Sequence, residues 1–470
     1  MTPWTIERAG RAIRAGELTS ERLTEECLAA SDRFDDALGT YLARFDESAL
    51  AAARQADAEL AAGNDRGPLH GIPLGIKDII ATDEGPTTAQ SLVQDPAWGD
   101  QGDGPVISRL RAAGAVLTGK TTTMEYAIGR PDFDKPFPIP RNPWNTERWT
   151  GGSSSGTANG VASGQFVGGL GTDTGGSVRL PAAYCGITGH KQTFGLVPKS
   201  GCIPLGLSYD HIGPMARTVW DCAAMLTVMA GADASDRTSV DRPHVDYVAR
   251  LDQDLPARIA VVANPSVAAS ASDSMMAAFD DAVAAIERAG VEVVLLEVPH
   301  YDELANGTFL ALQAEAFAWH RRQLQERWLD YGRPTRLTIA QGALISGGDL
   351  IQVERVRDIA RRAVIAAMDE LGVDLLLSPT TGYPATPFTG ADPRAVAMSA
   401  LHTPAWNAAG FPALSVPMGF DVDGLPCGLQ IIGRPFADDQ VLSLGHRYQQ
   451  LTNWHDAVAP IHASSGGTQE

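Results

Sequence analysis

The chain has 470 residues, of which 44% are hydrophobic and 20% are charged, and its formal net charge is −19. This composition excludes a disordered chain, because the apolar fraction is sufficient for a large core. The acidic balance argues against nucleic-acid and anionic-membrane partners, and no apolar run is long enough to span a membrane. The first residues do not show the basic region followed by an apolar one that is typical of a secretory signal peptide. The protein is therefore predicted to be cytoplasmic.

Residues 1–65 are rich in Ala, Glu, Arg and Leu at helical spacing, and Thr19, Ser20 and Glu21 are typical of a capped helix start. This region is predicted to form helices that pack outside the main fold. Residues 66–460 are assigned to one large domain, because open α/β enzymes often form a single unit of this size. Residues 461–470 contain Ser and Gly and are predicted to form a flexible tail.

Strand patterns recur along the main domain. They occur at residues 73–80, 115–119, 165–171, 373–378, 412–418 and 428–432, and residues 257–296 are typical of a β-α-β unit. We therefore expect a three-layer α/β/α fold with a large mixed central sheet and the N-terminal helices packed outside it. Functional residues are expected at strand ends, where open α/β sheets hold their sites.

Three short motifs carry the predicted chemistry. Lys77 lies in a G-I-K-D sequence, Ser153 is the first serine of G-G-S-S-S-G, and Ser177 follows D-T-G-G. A serine hydroxyl is a weak nucleophile until a neighbouring base takes its proton, and a lysine can be that base only when burial makes it neutral. These residue types predict that Lys77 acts as the base and that the hydroxyl of Ser153 passes the proton between it and the nucleophile.

The glycine-rich turn before Ser177 is suited to binding a developing negative charge. Backbone N–H groups at Thr174, Gly175 and Gly176 can converge without bulky side chains, as an oxyanion hole requires. Ser154, Asp173 and Arg179 adjoin these positions and are expected to support the site.

The three motifs resemble those of the amidase signature family. The resemblance extends from about residue 67 to the final helix and weakens at both ends and over residues 300–348. It implies that Ser177 is the nucleophile, Ser153 the bridging serine and Lys77 the base of a Ser-Ser-Lys amidohydrolase, and that the peptide bond at Ser153 is cis. The pattern associated with the glutamine-binding A-type chain of the glutamyl-tRNA amidotransferase is not evident over residues 300–348, so glutaminase activity is considered less favoured.

Each motif also has a simpler interpretation. The serine-rich segment could be a flexible linker, although it lies between turn residues and an apolar run. It also matches G-x-S-x-G with Ser154 at its centre, but a nucleophile elbow needs a preceding strand, and the residues before it are typical of a turn. The D-T-G-G sequence could be an ordinary turn or a phosphate-binding nest, but a complete Walker motif is absent. Lys77 alone would be taken for a surface lysine.

The substrate pocket is only weakly indicated. Residues 130–140 are proline-rich and aromatic and are predicted to form a loop near the mouth of the site. Tyr126, Phe133, Cys202 and Trp319 are the candidates for the pocket lining, although any single aromatic residue more often packs in a core. Together they favour a neutral apolar or aromatic amide.

Three functions therefore remain open. The first is a stand-alone amidase that forms an acyl-enzyme at Ser177, and the second is a carbamate or aryl ester hydrolase with the same three residues. The third is an amidotransferase subunit that passes ammonia to a partner. The expected partner is a small-molecule amide or carbamate substrate, and the protein is expected to be a monomer or homodimer. Neither a metal nor a cofactor is predicted, because the five cysteines are scattered and no H-E-x-x-H motif occurs among the ten histidines.

Overall fold

A computed structural model describes residues 3–100 and 102–463. Its strands are β1 (Tyr41–Arg44), β2 (Pro73–Lys77), β3 (Val116–Thr121), β4 (Arg141–Asn142), β5 (Asn145–Trp149), β6 (Gly168–Thr172), β7 (Thr188–Lys191), β8 (Ile212–Ala216), β9 (Arg258–Val262), β10 (Glu292–Leu296), β11 (Leu375–Pro379), β12 (Ala413–Phe420) and β13 (Pro426–Gly433). Its α-helices are α1 (Ile6–Arg14), α2 (Ser20–Leu38), α3 (Asp46–Ala61), α4 (Pro105–Ala112), α5 (Ser155–Ser163), α6 (Arg179–Cys185), α7 (Val219–Met229), α8 (Pro265–Ala269), α9 (Asp273–Arg288), α10 (Tyr301–Arg327), α11 (Arg333–Ala340), α12 (Gly347–Leu371), α13 (Pro404–Ala409) and α14 (Asp438–Leu451).

Eleven of the strands in the described residues form one mixed sheet. Their order is β1-β3-β2-β6-β8-β7-β12-β13-β11-β9-β10, while β4 pairs separately with β5. Strand β2 runs parallel to β3 on one side and to β6 on the other, whereas β8 pairs antiparallel with β6. Helices flank this sheet, which confirms the predicted α/β architecture with a large mixed central sheet.

The N-terminal residues contain the predicted helices and one strand that the sequence pattern does not predict. Helix α2 begins at Ser20, and the hydroxyl of Thr19 accepts a hydrogen bond from the backbone N–H of Arg22 at 3.0 Å. This is the predicted capped start. Strand β1 pairs antiparallel with β3 and so forms one edge of the large sheet. The N-terminal residues therefore contribute to the sheet as well as packing outside it.

Two other strands differ from expectation for physical reasons. Strand β8 contains Pro214, a residue that usually argues against a central strand, and β7 is short and contains Gly189 and Lys191. Both are nevertheless paired within the sheet. Most of the predicted tail, residues 464–470, lies outside the described residues, and the domain boundaries remain predictions.

The order of the strands positions the functional residues. Parallel neighbours β2 and β6 end at Lys77 and Thr172, and Ile76 is in register with Leu170. Helix α5 packs against both strands. Within the described residues, none of the helices combines the length and the apolar character that crossing a membrane would require.

Candidate active site

Lys77 is a buried lysine that contacts three hydroxyl groups. Its Nζ lies 2.6 Å from Ser153 Oγ, 2.7 Å from Thr172 Oγ1 and 3.0 Å from Ser154 Oγ. Burial lowers the pKa of Lys77 to about 7, because nearby acidic groups, including Asp173, only partly offset the loss of solvation. A large fraction of this amine is therefore neutral near pH 7.

The hydroxyl of Ser154 is engaged with the backbone of the adjacent strand. Ser154 Oγ donates to the carbonyl of Thr172 at 3.2 Å and accepts from the N–H of Thr172 at 3.1 Å. Its proton is thus directed away from Lys77, and it can only accept from the amine. Of the three hydroxyls around Lys77, those of Ser153 and Thr172 remain able to donate to a neutral amine.

Ser153 lies two residues before α5 and is held there by hydrogen bonds to its backbone carbonyl. The peptide bond between Gly152 and Ser153 is cis, as the family resemblance implies. The carbonyl of Ser153 accepts from Thr123 Oγ1 at 2.9 Å and from the N–H of Met124 at 3.2 Å. Its side chain is fully buried next to Lys77.

Ser177 is the member of the predicted catalytic group that solvent reaches. It is partly exposed, whereas Lys77 and Ser153 have no exposed surface. The N–H of Ser154 donates to the carbonyl of Ser177 at 3.3 Å, so the two serine segments are in contact. Among the described residues there is no hydrogen bond between Ser177 Oγ and Ser153 Oγ. The structure thus contains the contact between Lys77 and Ser153, and the step from Ser153 to Ser177 remains a proposal.

The turn before Ser177 presents fewer free N–H groups than its sequence predicts. The N–H of Gly176 donates to Asp173 Oδ1 at 2.8 Å and is not free to bind an oxyanion. Those of Thr174, Gly175 and Ser177 have no hydrogen-bond acceptor in the part of the chain that the structure describes. The predicted donor set is therefore altered at Gly176, because its N–H already donates to the buried carboxylate of Asp173.

Gly176 serves a different purpose in this turn. Its φ is +130°, and a Cβ at this position would lie 2.1 Å from Thr403 Oγ1. That hydroxyl donates to the carbonyl of Gly175 at 2.7 Å. Glycine is required at residue 176 because the turn packs directly against Thr403.

A buried ion pair holds the turn from below. Arg179 Nη2 lies 2.9 Å from Asp173 Oδ1, and both side chains are fully buried. Burial by itself would raise the pKa of Asp173, but the charge and hydrogen bonds of Arg179 outweigh it and hold that pKa well below the usual range. Arg179 also donates to Gln430 Oε1 at 2.7 Å and to Asn407 Oδ1 at 2.6 Å. The turn is thereby fixed to α13 and β13.

Three of the four predicted pocket residues do not lie together in the structure. Tyr126 is buried, with its ring centroid 4.2 Å from that of His320, so it packs in a core. Phe133 is 59% exposed, and Trp319, which lies on α10, is 49% exposed. Cys202 is half-buried and interacts electrostatically with Lys77, and burial raises the pKa of its thiol to about 12.

Other residues lie closer to the turn. A methyl group on Gly175 would lie 3.8 Å from Thr308 Cγ2 and 3.9 Å from both Phe309 Cε1 and Leu312 Cδ2 of α10. The spacing of residues 308 and 312 places them on one helix face, but nothing in the local sequence indicates that this face meets the turn. The described residues contain no group of three or more His, Cys, Asp or Glu side chains arranged to hold a metal ion.

Comparison with known proteins covers nearly the whole chain. The family model described as Amidase matches residues 22–442. The A-type chain of the glutamyl-tRNA(Gln) amidotransferase of Chloroflexus aggregans is 39% identical over 477 residues, which cover 96% of this chain and 97% of that relative.

Solved structures include both hydrolases and amidotransferase components. The peptide amidase of Stenotrophomonas maltophilia superposes with a TM-score of 0.82 at 32% identity, covering 95% of this chain and 96% of the other. The A-type chain of the glutamyl-tRNA(Gln) amidotransferase of Thermotoga maritima superposes with a TM-score of 0.78 at 28% identity, covering 95% and 94%. The similarity to these amidotransferase chains therefore extends along nearly the whole chain. Overall similarity does not support the expectation from the sequence that the amidotransferase function is the less favoured one.

Proposed function

The chain belongs to the amidase signature family, and from this membership we propose that it hydrolyses the carbon–nitrogen bond of a neutral small-molecule amide through an acyl-enzyme at Ser177. The observation that carries the proposal is the 2.6 Å contact between Lys77 Nζ and Ser153 Oγ beside a partly exposed Ser177. A buried lysine with a pKa of about 7 can accept a proton at neutral pH and return it.

Acylation begins with the transfer of two protons. Ser177 Oγ gives its proton to Ser153 Oγ as Ser153 gives its own to the lone pair of Lys77 Nζ. The remaining N–H groups of Lys77 donate to Thr172 Oγ1 and Ser154 Oγ, which keeps the lone pair directed at Ser153. Ser177 Oγ then forms a bond to the substrate carbonyl carbon, and the carbonyl oxygen becomes an oxyanion.

The oxyanion is bound by the backbone of the turn. The free N–H groups of Thr174, Gly175 and Ser177 are the proposed donors, and each donor of this kind contributes roughly 3 kcal/mol to lowering the barrier. When the carbon–nitrogen bond breaks, the leaving nitrogen takes a proton that passes from Lys77 through Ser153. Water then attacks the acyl-enzyme with its proton passing along the same path, and Ser177 is regenerated.

A carbamate or aryl ester would meet the same groups. Both present a carbonyl carbon to Ser177 and a carbonyl oxygen to the same donors, so the turn alone does not discriminate against them. Selection among amides, carbamates and esters depends on the walls of the pocket and on the basicity of the leaving group.

The second candidate is the A-type chain of a glutamine-dependent amidotransferase. It is supported by 39% identity to such a chain over nearly the full length. In this alternative the same residues would release ammonia from glutamine, and a partner protein would consume it. Its requirement for a partner separates it experimentally from a stand-alone hydrolase.

Turnover of a matched substrate panel tests these alternatives. The panel contains an aryl amide, an aliphatic amide, an N-aryl carbamate, an aryl ester and glutamine, each assayed with the wild type and with Ser177→Ala. Release from the amides that depends on Ser177 supports the stand-alone hydrolase. Cleavage of glutamine alone, or co-purification of a second chain, would favour the amidotransferase component. Ser154→Ala is the matched serine control and is expected to retain measurable turnover.

A further inference from the structure

We propose that Phe309 of α10 forms the apolar wall that receives the acyl group of the substrate, which makes the protein selective for neutral amides with a bulky apolar or aromatic acyl side. This inference rests on the proposed acylation of Ser177. The sequence predicts that Trp319 and Phe133 line the substrate pocket. This inference assigns that role to Phe309, an aromatic residue that lies next to the turn.

The position of Phe309 follows from its distance to the oxyanion turn. A methyl group on Gly175 would lie 3.9 Å from Phe309 Cε1 and the same distance from Leu312 Cδ2. Gly175 and Ser177 are both partly exposed, whereas the other residues from Gly171 to Leu180 are buried. Helix α10 thus packs beside the partly exposed Gly175, two residues before Ser177, and the acyl group of a substrate bound at Ser177 is placed against this helix.

A second segment closes one side of the same space. A methyl group on Gly206 would lie 3.2 Å from both Leu312 Cβ and Thr174 Cγ2, so the loop at Gly206 packs between α10 and the turn. Leu312 is buried by these contacts, whereas Phe309 is half-buried. Phe309 therefore retains apolar surface for a ligand, and Leu312 serves mainly to support it.

Charges near this wall disfavour an anionic acyl group. The carboxylate of Asp210 accepts from Thr174 Oγ1 and from the N–H of Leu205, and Glu315 accepts from the N–H of Ser208 at 3.1 Å. Lys199 interacts electrostatically with both carboxylates and with Asp236, and Lys77 also interacts with Asp210. Carboxylates outnumber the lysines in this cluster on one side of the turn, which suits a neutral acyl group better than an anionic one.

The two exposed aromatic residues do not share this position. Trp319 lies two turns beyond Leu312 on α10 and is about half-exposed, and Phe133 packs edge-on against Phe388 with centroids 5.5 Å apart. Trp319 is therefore a matched control on the same helix for any effect of removing an aromatic ring.

The first test compares two p-nitroanilides, one with an acetyl and one with a phenylacetyl group. For Phe309→Ala, kcat/KM for the phenylacetyl substrate is expected to fall about tenfold or more, with a change of less than about threefold for the acetyl substrate. Phe309→Leu, which keeps an apolar side chain, should fall between the wild type and Phe309→Ala, and Trp319→Ala should change neither value. Equal losses for both substrates, or no loss for either, would overturn the inference.

A binding measurement separates this inference from the proposed reaction. Calorimetric titration of Ser177→Ala with phenylacetamide and acetamide is repeated in Ser177→Ala/Phe309→Ala, with unfolding temperatures compared to verify the fold. Weaker binding of phenylacetamide alone in the double variant supports the wall, even if the wild type cleaves neither anilide and the proposed reaction fails. Unchanged binding, or no binding of phenylacetamide to Ser177→Ala, would overturn it whatever the turnover.

Discussion

The hydroxyl of Thr172 lies 2.7 Å from Nζ of Lys77, because the two residues end adjacent parallel strands of the sheet. Sequence motifs do not single out Thr172, which lies in the approach to the glycine-rich turn. Its position gives it a specific role beside the amine. In the proposed mechanism, Thr172 Oγ1 accepts one N–H of Lys77 and so orients the lone pair of the amine towards Ser153.

Removal of this hydroxyl is expected to slow the chemical step. Thr172→Val keeps the branched shape but removes the acceptor. Lys77 becomes charged as it accepts the proton from Ser153, and hydrogen bonds to charged groups are worth about 1.5–3 kcal/mol. We therefore expect kcat to fall about 10- to 100-fold with little change in KM, and Thr172→Ser to restore most of it. Steady-state kinetics on the best substrate of the panel measures both. A wild-type kcat for Thr172→Val would show that Lys77 needs no such orientation.

The pH dependence of turnover should report the protonation of Lys77. Burial lowers its pKa to about 7, and only the neutral amine accepts the proton from Ser153. We expect kcat/KM to rise with pH through an apparent pKa near this value and then to reach a plateau. A pH profile over the range from about 5 to about 10 tests this, and a rate that falls as pH rises through neutrality would contradict the assignment of the base.

Lys77 should also make folding stability depend on pH. In the unfolded chain a lysine keeps its proton up to about pH 10.4, whereas folded Lys77 releases it at about 7. Between these values the unfolded state binds more protons, so this residue makes stability rise with pH by up to about 1.4 kcal/mol per unit. Lys77→Met removes this contribution.

The comparison is made by denaturant unfolding at about pH 7 and about pH 10, the two ends of that interval. The unfolding free energy of Lys77→Met should exceed that of the wild type by the largest amount at the lower pH. This excess should shrink as the pH rises. A difference that does not change with pH would mean that folded Lys77 retains its proton throughout this range.

The two glycines of the turn should tolerate alanine very differently. At Gly176 a Cβ would clash with Thr403 Oγ1, and the positive φ adds backbone strain of about 1–3 kcal/mol. At Gly175 the nearest atoms to a Cβ lie at ordinary contact distance. Gly176→Ala should therefore destabilise the protein and abolish turnover, while Gly175→Ala should keep its unfolding free energy within about 0.5 kcal/mol. Equal stabilities for the two variants would refute the packing argument.

The buried pair beneath the turn should be costly to break. Asp173→Asn leaves the charge of Arg179 without its partner, a change that typically costs about 3–5 kcal/mol. Arg322→Gln is the matched control, because its pair with Glu326 is on the surface, where water and salt screen such pairs and leave them little effect on stability. Urea unfolding of both variants gives the comparison. A loss at Asp173 no larger than that at Arg322 would contradict the structural role.

The sequence identifies what is local and misses what depends on distant packing. Lys77, Ser153 and Ser177 lie in compact motifs, and the strand ends that position them have regular patterns. The hydrogen-bond acceptor of the Gly176 N–H could not be predicted, because it depends on the orientation of the Asp173 carboxylate in the folded chain. Phe309 was missed because only the folded chain brings α10 against the turn, and β8 was missed because the proline within it argues against a strand.

The hydrogen bonds that Arg179 makes to α13 and β13 also have a consequence for the order in which the protein folds. Lys77, Ser153 and Ser177 all lie in the first half of the chain, yet Arg179 is bonded to Asn407 and Gln430, which are 228 and 251 residues away. During synthesis these partners emerge last, and contacts of such long sequence separation generally form late. A nascent chain that already contains every proposed reacting group would thus lack the hydrogen bonds that fix the turn. Hydrolytic activity would therefore arise only after the last strands have paired with the sheet.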